Sequence, residues 1–160
     1  MSDEKRLAII ATKGSLDWAY PPFILASTAA ALGYETQIFF TFYGLQLLRK
    51  RLALEVTPLG NPGMPMPMGM DKWFPVLGTA LPGMQSMMTM MMKKKMKDKG
   101  VASIEELREL CQEAEVKLIA CQMTVDLFDM NPAEFIDGVE YAGAAAFFEF
   151  AGESDICLYI

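Results

Sequence analysis

Val116-Lys117-Leu118-Ile119-Ala120-Cys121-Gln122 is the stretch that decides how this chain is read. It is apolar apart from Lys117 and too brief for an ordinary helix, so it reads as a short buried strand. Met123 to Asp129 then reads as a helical turn or two. Cys121 stands at the junction, where a thiol faces the positive end of the following helix dipole and unpaired backbone N–H groups favour the thiolate. Just upstream, Ser103 and Glu106 make a capping-box pair ahead of the apolar stripe Ile104, Leu107, Leu110, Cys111 and Ala114. The stripe predicts a helix feeding the Cys121 strand.

The same alternation extends in both directions. Leu7 to Thr12 predicts a first strand, followed by the loop Lys13-Gly14-Ser15. Asp17 to Leu32, with Pro21 and Pro22 in its first turns and Gly33 at its end, predicts a helix. Tyr34 to Phe42 resumes a strand pattern, rich in β-branched and aromatic residues. Two helical turns are expected from Tyr43 to Arg51 and a short strand from Leu54 to Leu59. Beyond Cys121, Asn131-Pro132-Ala133-Glu134 carries an N-cap, a proline at the first helical position and a glutamate three residues after the cap, so a short helix is expected as far as Gly138. A strand at Val139 to Tyr141, a helix from Ala144 to Phe150 and a strand from Asp155 to Ile160 complete the pattern. Strands alternating with helices imply right-handed crossovers and a mostly parallel sheet of five or six strands, covered on both faces.

Ligands of such open sheets bind outside the carboxyl ends of the strands. Thr12-Lys13-Gly14, Thr41-Phe42 and Cys121-Gln122 all fall at such ends and line one crevice if their strands are neighbours. Lys13, Gly14, Thr41 and Gln122 are therefore the candidate substrate-binding residues around Cys121. Lys13 could stabilise a thiolate or an anionic sulfur substrate, against the commoner role of a solvated loop lysine. Asp17 is expected to cap or charge-match the first helix. Lys13-Gly14-Ser15 lacks the spaced glycines of a phosphate loop, so nucleotide binding carries little weight.

The 160 residues suffice for one domain, and the 52% apolar content for a sizeable core. A single domain over residues 1–160 is expected, with one insertion at about 61–100. The formal charge of −6 argues against general phosphate-backbone binding, so no nucleic acid partner is expected. The charged start Met1-Ser2-Asp3-Glu4-Lys5-Arg6 runs straight into a strand and lacks the features of a signal peptide, which makes a cytoplasmic location the expectation. There is no histidine, which removes Ser-His-Asp and Cys-His catalysis, His-containing zinc sites and histidine bases together. No resident metal or cofactor is expected. The three cysteines, an odd number without close spacing, form no disulfide framework. Cys111 on its helix stripe and Cys157 within the last strand are expected to be packing residues, whereas Cys121 is balanced between a core position and a nucleophile.

Asn61 to Gly100 departs from the alternation and holds most of the methionines, in Met64-Pro65-Met66-Pro67-Met68-Gly69-Met70 and again from Met84 to Met92. Trp73 to Met92 carries no charge and is long enough for a membrane span, with Lys93-Lys94-Lys95 as its flank. Pro75, Gly78, Pro82, Gly83, Gln85 and Ser86 make that span a poor one. A flexible apolar surface for self-association or partner docking is the first reading. Membrane-surface contact through 73–97, peripheral to the bilayer, is the second, and copper(I) ligation by thioethers the third.

With these elements in place the chain resembles the DsrE/DsrF/DsrH-like family of small sulfur-relay proteins, in particular its methionine-rich branch. The resemblance rests on Ala11-Thr12-Lys13-Gly14-Ser15-Leu16-Asp17, Ile38-Phe39-Phe40-Thr41-Phe42-Tyr43-Gly44, the methionine-rich insertion, Ala120-Cys121-Gln122-Met123-Thr124 and Asp137-Gly138-Val139-Glu140-Tyr141. It covers nearly the whole chain. It implies a three-layer α/β/α sandwich, a homo-oligomer, and a strand-end cysteine that carries sulfane sulfur as a persulfide, by motif Cys121. The expected function is that of a sulfur carrier or sulfurtransferase whose partners are thiol or persulfide-bearing relay proteins. Cys111 and Cys157 match no motif of the family. The alternative is a non-catalytic oligomeric or membrane-associated binding module acting through the insertion. A thiol-redox enzyme is a third class, disfavoured because no cysteine pair has a recognisable spacing.

Overall fold

The computed structural model describes residues 4–58 and 81–160. Five strands, β1 (Arg6–Ala11), β2 (Glu35–Phe40), β3 (Lys117–Cys121), β4 (Val139–Ala142) and β5 (Ile156–Tyr159), form one sheet in the order β4-β3-β2-β1-β5. Every pairing is parallel. β1, β2 and β3 are therefore neighbours, and their carboxyl ends lie side by side.

Alternation along the strands sends side chains to two faces. On one face Phe40 meets Phe23 of α1 (Leu16–Ala31), ring centroids 5.9 Å apart. Cys111 of α3 (Ile104–Glu113) donates its thiol to the Phe23 carbonyl at 3.5 Å, which places α3 on that face too. On the other face Ala8, Phe39, Ile119 and Cys121 cluster with Phe147 of α5 (Ala144–Ala151), and the Phe39 and Phe147 rings are 5.3 Å apart. The result is the α/β/α layering expected from the alternation, with a sheet of five strands, all parallel.

The chain divides into two compact units. One, residues 1–14, 18–52 and 103–160, holds the sheet. The other comprises residues 15–17 and 53–102. Within the second, residues 53–57 form no regular element and join no sheet, contrary to the strand expected from Leu54. The reason is local: Val56 gives its N–H to the Thr89 hydroxyl and its carbonyl accepts from the Gln85 amide, both at 3.0 Å. Side chains one turn apart on α2 (Met84–Asp98) thus take the place of a neighbouring strand. That helix was not anticipated; residues 84–99 hold neither glycine nor proline and are dominated by methionine and lysine, both good helix formers. Asp17 ties down the next residue, accepting from the Thr57 backbone N–H at 2.9 Å and from its hydroxyl. The Met-Pro run 64–70 and the Trp73 end of the uncharged stretch lie outside the described residues.

Two further differences follow from backbone contacts. The helix expected from Tyr43 to Arg51 is a 3-10 helix, Phe42–Leu48, and the segment after Asn131 forms only a short 3-10 turn, Pro132–Glu134. Both stop where the chain turns extended, at Arg49 and Phe135, which form an antiparallel bridge. Ile136 N–H to Leu48 O at 2.9 Å and Lys50 N–H to Glu134 O at 2.8 Å complete it. The capping box of α3 forms as expected. Its stripe is rotated, however. Leu110 is exposed and Arg108 takes the buried place, with Nη1 donating to Leu47 O at 2.9 Å and Arg49 O at 2.8 Å. A cation on the last carbonyls of a helical segment is favourably placed, and burial lowers its pKa.

Candidate functional site

The carboxyl ends of β1, β2 and β3 are held together by backbone. Gly44 follows β2 and lies against the Ala11 carbonyl at the end of β1, so a Cβ there would collide with that oxygen. Gly14 stands in the same relation to the Tyr43 carbonyl and to Gln46. Thr41 N–H donates to Ala11 O at 3.1 Å and Gly44 N–H to Thr41 O at 3.0 Å. The β1 loop and the 3-10 helix are thereby interlocked, which accounts for glycine at both positions.

Beyond β3, Cys121 is the N-cap residue of the six-residue α4 (Gln122–Leu127), but its side chain makes no capping hydrogen bond. Only 5% of Cys121 is exposed. Its thiol belongs to the hydrocarbon cluster beneath α5, beside Phe147, Phe39 and Ile119. The thiol left open between a core position and a nucleophile is thus a covered one in the single chain, because the alternation that buries Ile119 turns Cys121 to the same face.

The four candidate residues around it divide. Thr41 joins the β3 end, its hydroxyl 3.1 Å from that of Thr124. Gly14 serves the interlock just described. Lys13 places its ammonium over the Trp18 ring, 3.1 Å from the centroid, a cation–π contact on the α1 side of the sheet. Gln122 is exposed and donates to the Asp126 carboxylate at 2.7 Å. Among the described residues, none of the four hydrogen-bonds the Cys121 thiol.

Five further residues shape the site. Thr124, fully buried, accepts the Phe42 backbone N–H at 3.4 Å. Phe42 has φ +49°, a left-handed backbone that is unusual for a bulky residue. Its ring meets Phe128 edge-on at 6.1 Å, and Tyr43 stacks on Phe128 at 6.0 Å. Phe147 covers Cys121. The aromatic residues flanking Thr41 were legible as strand and turn, but nothing in the linear pattern announced their contact with α4.

The other thiols have distinct settings. Cys111 is fully buried and burial pushes its pKa up to about 12. Cys157 is exposed on the edge strand β5, opposite Ala8. Among the described residues no group of three or more cysteine, aspartate or glutamate side chains could hold a metal ion, and no helix is long and apolar enough to cross a membrane.

The model of the DsrE/DsrF/DrsH-like family matches residues 3–159. The chain belongs to that family. It is 89% identical over 158 residues to the sulfur carrier protein DsrE2 of Allochromatium vinosum, covering 99% of each chain. It is 36% identical to the uncharacterised protein YrkE of Bacillus subtilis, covering 98% of this chain and 97% of that one. The crystal structure of the ychN protein from E. coli shares the fold, with a TM-score of 0.55 and 12% identity over 98% of this chain and 99% of that chain. Ligands of open parallel sheets bind outside the carboxyl ends of the strands, which makes the adjoining ends of β1, β2 and β3 the candidate site.

Proposed function

We propose that the chain is a sulfur carrier that holds sulfane sulfur as a persulfide on Cys121. The observation that carries this reading is the position of Cys121 at the carboxyl end of β3, where the chain enters α4, in a chain 89% identical to a named sulfur carrier protein. Cys111 is sealed in the other layer with its proton firmly held. Cys157 lies along an edge strand, away from the strand ends where ligands of open parallel sheets bind.

The chemistry is thiol exchange at sulfur. The Cys121 thiolate attacks the outer sulfur of a donor persulfide, the donor's S–S bond breaks, and the donor leaves as a thiolate. An acceptor thiolate then attacks the same outer sulfur and Cys121 departs as the leaving thiolate. Each step makes one S–S bond and breaks one, so no net oxidant, reductant or cofactor is consumed. Because Cys121 is covered, transfer requires a local opening in which Phe147 or the start of α4 moves aside.

Intact-mass analysis after incubation with a persulfide donor tests the assignment. The wild type, Cys111→Ser and Cys157→Ser should each gain one sulfur, and Cys121→Ser should gain none. Loading of Cys121→Ser but not of Cys157→Ser would move the carrier to the edge strand.

A homo-oligomer is part of the proposal. Phe148 of α5 and Tyr159 of β5 are 69% and 75% exposed, and the register that pairs Tyr159 with Ile10 turns it to the α5 face. A second copy laid on this layer would bury them. The insertion supports a second reading, membrane-surface docking through 73–97, because α2 exposes Met87, Met90 and Met91 ahead of Lys93, Lys94 and Lys95. Flotation with anionic and with neutral vesicles separates it from a purely protein-directed role.

A further inference from the structure

We propose that the exposed aromatic surface of Phe42, Tyr43 and Phe128 beside Cys121 is the docking face for a basic, thiol-bearing protein. The thiol rests on the sulfur-carrier reading above; the docking face does not. Phe42 is 45% exposed, Tyr43 65% and Phe128 42%, and Met123 and Leu127 of α4 are exposed next to them. The rings touch one another, so the apolar surface is contiguous rather than scattered. Surfaces of that kind on a single chain mark interaction sites. The backbone also supports it: the left-handed turn at Phe42, fixed by the buried Thr124 hydroxyl, is what directs a large ring outward.

Charge identifies the occupant. Residues 118–160 contain eight acidic side chains and no lysine or arginine. Among the described residues, two of the eight are in ion pairs, Glu134 with Arg49 and Glu153 with Arg6. Asp126 and Asp129 remain at the rim of the aromatic patch, both exposed. An anionic lipid surface is repelled by such a rim, and so is the same face of a second copy. A lysine- or arginine-rich surface is attracted by the carboxylates and gains cation–π contact with the open ring faces. A partner docked there has its cysteine beside the β3–α4 junction.

The test uses two peptides as probes, each with a single cysteine, one flanked by lysines and one by glutamates. Their binding to the unloaded full chain is followed by fluorescence titration. At low salt the lysine peptide should bind at least about tenfold more tightly, and the preference should shrink as salt screens the rim. Asp126→Asn with Asp129→Asn should abolish most of the preference while leaving the left-handed backbone at 129 tolerable, and Phe128→Ala should weaken the lysine peptide. Equal binding of the two peptides, or a preference untouched by these variants, overturns the proposal. A change of sedimentation coefficient in the variants also overturns it, by assigning the face to a second copy. Because binding is read without sulfur, a failure of Cys121 to load in the mass experiment leaves this result standing, and the converse holds.

Discussion

The Thr124 hydroxyl, fully buried, accepts the backbone N–H of Phe42 at 3.4 Å across 82 residues of sequence. It joins the end of β2 to the first turn of α4, and the same oxygen lies 3.1 Å from the Thr41 hydroxyl. One side chain therefore holds both the turn that displays the aromatic rings and the helix that follows Cys121. Thr124→Val keeps the shape and removes the hydroxyl, leaving the Phe42 N–H without its side-chain acceptor. The cost expected is about 1–3 kcal/mol in urea denaturation, with Thr124→Ser retaining most of the stability. If valine matches wild type, the hydrogen bond does not hold the turn.

The three thiols should react in a fixed order with a disulfide reagent. Cys157, exposed on β5, comes first. Cys121, 5% exposed, waits on opening, and a retardation of about a hundredfold corresponds to an opening free energy of roughly 3 kcal/mol. Cys111, sealed beneath α1, reacts only on unfolding. Phe147→Leu thins the cover over Cys121 and should accelerate that thiol alone. Stopped-flow measurement on single-cysteine variants checks the order, and Cys121 reacting as fast as Cys157 would contradict the covered geometry.

Much of the fold was legible because its signals are local. The capping box at Ser103 and Glu106 and the strand run around Leu118 each act within a few residues, and both formed as read. The carboxyl ends at Thr12, Thr41 and Cys121 needed only the strand order to become neighbours. What was not legible depends on distant partners. Arg108 looks like a surface residue until the carbonyls of Leu47 and Arg49, some sixty positions away, are seen to receive it. Likewise the run at Val56 carries a strand's pattern, but side chains of α2 satisfy its backbone. The burial of Cys121 was encoded in the alternation with Ile119, yet the helix that covers it lies beyond β4.

Cys111 gives the stability a defined alkaline dependence. Its folded pKa is raised from 9.0 to about 12 by burial, so between those values the folded chain keeps a proton that the unfolded chain has released. The folded state then binds more protons, and stability falls as pH rises through that window, while well below pH 9 the thiol contributes no slope. Wild type should lose about 1 kcal/mol more than Cys111→Ala between pH 9 and pH 10. Tyr20 and Tyr141, whose pKa values burial also raises, act in the same direction in both proteins and cancel in the comparison. Urea midpoints at the two pH values measure the difference, and parallel pH profiles would show that the Cys111 thiol ionises in the fold as readily as outside it.

Gly44 lies so close to the Ala11 carbonyl that a methyl group there must displace backbone, not a flexible side chain. Both segments are anchored, Ala11 within β1 by its pairing to Phe40 and Gly44 by its N–H to Thr41. The strain cannot be relieved locally, so Gly44→Ala should cost about 2–4 kcal/mol. Gly14→Ala meets the Tyr43 carbonyl in the same interlock and should behave similarly, because only its second neighbour, the Gln46 side chain, is free to yield. Gly143→Ala is the control: no atom lies within 4 Å of the added carbon and φ is −92°, so stability should change little. Thermal denaturation of the three variants distinguishes a site built on backbone contact, where the first two fall well below the third, from a tolerant loop, where all three melt together.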